Sequence, residues 1–141
     1  MITELYVPRD RLPAFMDDVR RDFFSHQVDL VYGTIRLIER DDESFMPWAR
    51  EAWACVIFNL HVEHSPTGVA PVREAFVRLI DHAIAQGGSY FLTYHRYARR
   101  DQLLQCYPEF PELLRHKLRY DSDELFASDW YRHCKALVGP S

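Results

Sequence analysis

No run of this 141-residue chain is apolar for long enough to cross a bilayer. The longest, residues 52–60, is short and broken at Asn59. Cysteine is scarce. Cys55, Cys106 and Cys134 form no C-x-x-C pair and are odd in number, which excludes a disulfide framework or a zinc ribbon and points to a reducing compartment. The opening "MITELYVPRD" is polar where a secretory leader is apolar, so a cytoplasmic location is expected. Basic residues are not in excess: the net charge is −4, which argues against nucleic acid as the main partner. Neither G-x-G-x-x-G nor a P-loop occurs, and no G-x-S-x-G elbow. Low-complexity stretches and recognisable linkers are also missing. One domain is expected.

What the chain does have is rings. Aromatic residues make up 14% of it, more than a small core needs, and surplus rings often line a pocket or an interface. Thr3–Val7 reads as a strand ended by Pro8. Asp10 is the expected N-cap of a first helix, in which Leu12, Phe15, Met16, Val19 and Phe23 recur at helical spacing. "DLVYGTIRLIE" and "WACVIFNLHVE" alternate as second and third strands. A second helix is capped by Ser65 or Thr67 and buries Val72, Phe76, Leu79, Ile80 and Ala83. It stops at Gly87 and Gly88, and "SYFLTYH" reads as a fourth strand. The order β-α-β-β-α-β predicts an α+β, ferredoxin-like antiparallel sheet with both helices on one face. Residues 1–97 form that unit, and residues 98–141 are short helices packed on it.

The helices are expected to cover the sheet face carrying Val31, Ile35, Leu37, Val56, Phe58 and Leu60. The other face then presents Tyr32, Thr34, Arg36, Asn59 and His61, with Tyr94 or His95 from the fourth strand and Glu4 and Tyr6 from the first. A few hydrogen-bonding groups among rings suit a polar organic ligand. A half-solvated sheet, or one covered by the C-terminal helices or a second copy, gives the same pattern. Arg36 serves either a surface ion pair or a carboxylate or developing oxyanion. His61 is either a satisfied structural imidazole or a general base. His61 and His64 form H-x-x-H, but strand spacing puts them on opposite faces, so no metal site is expected. Arg96, Arg99 and Arg100 read as a solvated helix start, with an anion such as a flavin phosphate as the alternative.

The tail "YPEFPELLRHKLRYDSDELFASDWYRH" resembles the C-terminal end of FAD-linked oxidases of the vanillyl-alcohol-oxidase type. Tyr107-Pro108, Tyr120-Asp121 and Phe126 match that family's pattern; Ser122 stands where its proline is usual, and its asparagine after the phenylalanine is absent. "TIRLIERDDESFMPWAREAWACVIFNLHV" is similar to the substrate-side strands of the aldonolactone and alditol oxidase branch, with Arg36 at the branch's arginine. "GGSYFLTYHR" resembles its last strand, with Tyr94 or His95 where a basic residue stands.

The resemblance implies a substrate-cap domain whose sheet face roofs a flavin. Arg36, His61 and His95 are its expected catalytic residues, and Tyr32, Asn59 and Tyr94 its substrate-binding residues. It implies FAD as cofactor of the complete enzyme, held mainly by a flavin-binding domain that this sequence does not include. Tight FAD binding and turnover are therefore not expected from the chain alone. The expected partners are a small hydroxyl-bearing substrate, the flavin-binding domain and a second copy of the chain, with neither membrane nor nucleic acid. The alternatives are a free-standing dimeric enzyme of the cofactor-free monooxygenase type and a non-enzymatic ligand-binding or interaction module.

Overall fold

A computed structural model describes residues 1–139. Strand β1 (Ile2–Pro8) alternates so that Leu5 and Val7 enter the main core while Glu4 and Tyr6 face the other way. Pro8 closes the strand and a 3-10 turn (Arg9–Arg11) leads into α1 (Leu12–Ser25). Asp10 does not cap this helix. The chain enters through the tight turn, and no side-chain cap bond forms. Strands β2 (Leu30–Ile38) and β3 (Trp53–Leu60) follow, then α2 (Pro66–Ala85), whose first turn is capped by the Ser65 hydroxyl accepting from the Gly68 amide at 3.0 Å. Gly87 ends α2 at φ +76°, a conformation that costs glycine little. At Gly88 a Cβ would lie 1.9 Å from the Tyr6 carbonyl oxygen, so only glycine lets β4 (Ser89–Tyr90) leave the helix against β1.

The four strands form one antiparallel sheet in the order β2-β3-β1-β4. With α1 and α2 on one face this is the ferredoxin-like α+β arrangement that the sequence predicts. The buried stripes of both helices (Phe15 and Val19; Val72, Phe76, Leu79, Ile80 and Ala83) meet Leu5, Val7, Val56, Phe58 and Leu60. Asp22 of α1 lies in this seam and accepts two bonds from the Arg78 guanidinium of α2, at 2.7 and 3.2 Å. The tail adds α3 (Arg100–Cys106), α4 (Phe110–Tyr120) and α5 (Asp129–Val138), which extend the same core through Leu103, Tyr107, Phe110 and Leu114.

Two expectations fail here. The fourth strand does not run to His95: the ladder holds only Ser89 and Tyr90. Tail side chains take over, with the Tyr107 hydroxyl donating to the Tyr90 carbonyl and the Trp130 indole N–H to the Leu92 carbonyl at 3.0 Å. Nor do the helices cover β2. Ile35 and Leu37 share the helical side, as their pairing with Val56 and Ala54 requires, yet they stay 51% and 68% exposed. The helical layer lies over β1, β3 and β4 and continues into the tail on the β4 side, so the opposite edge strand is left uncovered.

Candidate functional site

Cross-strand pairing arranges the outer face in rows. Tyr32, Asn59 and Ile2 form one, Thr34, Ile57 and Glu4 the next, and Arg36, Cys55 and Tyr6 a third. A fourth row, Ile38, Trp53 and Pro8, closes the far end. Side chains directly opposite on one face touch, so Arg36 stands over Cys55, and Cys55 over Tyr6.

Glu4 is the hub. Its Oε1 accepts from the Tyr6 hydroxyl at 2.7 Å and the Cys55 thiol at 3.2 Å, and its Oε2 from the Tyr94 hydroxyl at 3.3 Å. Burial, then the Glu4 carboxylate, pushes the Cys55 thiol up to about 12 and raises the Tyr6 phenol well above its ordinary value. Burial and the same carboxylate also raise Tyr94. All three groups therefore keep their protons at neutral pH and hold the carboxylate by donating to it. The charge of Arg36 reaches both Cys55 and Tyr94, while its own side chain stands exposed.

The face is only half bare. The connector between β2 and β3 folds back over the Trp53 end, where Trp48 stands edge-on to the Tyr6 ring at 5.2 Å and Ala49 is buried. Arg50 fastens the connector to the tail through Glu109 at 2.9 Å. Tyr32, Thr34, Arg36 and Tyr94 remain open to solvent, and Asn59 is half-buried among them.

Arg36, Tyr32, Asn59 and Tyr94 thus come together, and the two histidines do not join them. His61 lies one residue beyond the end of β3. Its Nδ1 is 2.9 Å from Asp29, and it lines a cleft of about 290 Å³ between the α1–β2 turn and α2, on the helical side. His95 stacks on Tyr97 and meets the Phe76 ring of α2 edge-on at 4.8 Å; burial lowers its pKa. Glu4 and Cys55 complete the cluster instead. The signal for Glu4 was present in the sequence: a lone carboxylate in the middle of "TELYVP", on the same side as Tyr6. Among the described residues no group of three or more His, Cys, Asp or Glu side chains is placed to hold a metal ion.

No protein-family model matches the chain, and no curated protein matches it.

Proposed function

We propose that this chain is the substrate-facing cap unit of an FAD-dependent oxidoreductase acting on a small hydroxyl-bearing molecule. The observation that carries this reading is the outer sheet face, where a guanidinium, an amide and two exposed phenols share one surface with an oriented carboxylate. Such a set suits a polyhydroxylated or carboxylated substrate held against a flat partner surface.

The same face fits the ring portion of a flavin and not its pyrophosphate. Tyr32, Tyr94 and Arg36 offer rings and a planar cation, while the backbone amides of the inner strands β1 and β3 are spent on the ladder. Retention of FAD therefore requires a flavin-binding partner. When bound, the flavin supplies the hydride acceptor. The chain's own groups do the rest. Arg36 holds a substrate oxygen that carries or gains negative charge. Tyr94 donates its hydroxyl hydrogen bond to Glu4, and its oxygen is left to accept from a substrate hydroxyl. Glu4, aimed by Tyr6 and Cys55, receives the hydroxyl proton, replacing His61 and His95 in that role.

The test is a titration of the isotope-labelled chain with lumiflavin, which is the ring without the pyrophosphate, together with gel filtration in FAD. Amide shifts should gather at Thr34, Arg36, Asn59 and Tyr94 and vanish in Arg36→Ala, and FAD should not co-elute. Shifts confined to other surfaces, no shifts, or stoichiometric FAD retention would refute the reading.

A further inference from the structure

We propose that β2 is a self-pairing edge, through which two copies of this chain join into one eight-stranded sheet about a two-fold axis at Thr34. The inference does not rest on the flavin reading.

The two edges of the sheet are treated differently. At β4, side chains of the tail occupy the carbonyls of Tyr90 and Leu92. At β2, nine consecutive residues lie along an edge whose only strand neighbour among the described residues is β3. Edge strands are normally protected by lysines, prolines, shortness or an added covering element. Here "LVYGTIRLI" has neither proline nor lysine, one charge and full length. Its single irregularity, a bulge between Leu30 and Tyr32, sits at one end.

The apolar surface around it is large. Val31, Tyr32, Ile35 and Leu37 are about half exposed or more, and Phe24 of α1 is 79% exposed beside Leu30 across a groove of about 480 Å³. Their exposed area with that of Leu30, taken over both sides of the strand, is roughly 700 Å², near the ~800 Å² that each partner gives a standard interface.

The occupant that fits is a second β2, and the register follows from the side chains. Antiparallel pairing keeps like faces together only when the two residue numbers sum to an even value. A centre at Thr34 pairs the strand face to face beyond its bulge, Tyr32 with Arg36 and Gly33 with Ile35, and brings the bulged end at Leu30 and Val31 opposite Ile38 and Leu37. Shifting the centre to Gly33 sets Arg36 against Leu30 and Leu37 against Asp29. A centre at Ile35 sets Val31 against Glu39. At Thr34, the strand's only charge meets Tyr32 of the second copy, a cation–π pairing, and Gly33 makes room for Ile35. The flanking acids that face each other each have a partner within their own copy, Asp29 the His61 imidazole at 2.9 Å and Glu39 the Arg9 guanidinium at 2.6 Å. A two-fold axis normal to the sheet keeps both outer faces on one side, so each copy sets its Tyr32 beside the other's Arg36.

Sedimentation of the full chain at micromolar concentration should give a dimer. Ile35→Lys should raise its dissociation constant at least tenfold while leaving unchanged the urea midpoint measured at a dilution where both proteins are monomeric. Thr34→Cys should form an intermolecular disulfide on mild oxidation, whereas Leu30→Cys, opposite Ile38, should not; the native cysteines are buried. A monomeric wild type would overturn the proposal and leave the edge to a different chain. A dimer indifferent to Ile35→Lys would overturn it too, as would cross-linking through Leu30→Cys but not Thr34→Cys. None of these readouts involves flavin, so their failure is separable from failure of the cap reading.

Discussion

Replacing Asp22 by asparagine should cost about 2–3 kcal/mol at neutral pH, somewhat below the ~3–5 kcal/mol lost when a fully buried ion pair is broken, because Arg78 retains some water. Asp22 is 7% exposed, takes both guanidinium bonds from Arg78 and lies near His26 and His82, so it ties α1 to α2. Asparagine keeps the shape and removes the charge. Burial alone would push this carboxyl up. The hydrogen bonds and charge of Arg78, with the two imidazoles, outweigh burial and hold it below its ordinary value. A depressed native pKa gives stability that is complete above the unfolded value of about 4 and is lost as the pH falls through the native value. The penalty of Asp22→Asn should therefore be constant through neutral pH and shrink on acidification, until both proteins carry a neutral side chain there. Urea unfolding in steps from pH 7 to the lowest pH that keeps a native baseline measures this. Thermal scans should show a fall of roughly 10 °C at pH 7. A cost under ~0.5 kcal/mol, typical of an ordinary surface change, or one unchanged in acid, would refute the assignment.

Gly88→Ala must displace the Tyr6 backbone and should cost more than ~3 kcal/mol, the range of severe strain; a native circular-dichroism spectrum with normal thermal stability would contradict the close approach. Tyr107→Phe leaves the Tyr90 carbonyl without its donor and should lower stability by about 1–2 kcal/mol in urea. Cys55 should resist iodoacetamide in the native protein at pH 8, since it is buried and its pKa is pushed up to about 12; labelling at the rate of a free thiol would disprove the Glu4 cluster. Arg36→Ala should change stability by less than ~0.5 kcal/mol because its side chain is exposed.

Periodicity carried the fold. The stripes of α1 and α2 were legible because each buries one face of a 3.6-residue repeat, and the strand order followed from their alternation with the sheet. Alternation also told which side of β2 held Ile35 and Leu37. It could not tell that nothing lies above them, since cover is a property of where the layer sits and not of the strand. The histidines show the other limit. A period of two assigns faces only inside a ladder. His61 falls one residue past the end of β3 and His95 lies beyond a β4 of two residues, so parity said nothing of where either ring points. Glu4 was visible as an acid among apolar neighbours, but its three donors come from β1, β3 and the segment after β4, and only the folded sheet brings them to one carboxylate.

The sealed carbonyls of Tyr90 and Leu92 have a consequence for assembly size. With one side of the sheet stoppered by Tyr107 and Trp130, the β2 pairing proposed above would end after a single round. Replacing Tyr107 and Trp130 by phenylalanine, which keeps their rings in the core, would free both carbonyls and give every molecule two adhesive sides. Growth would then have no terminus, and filaments would replace closed particles.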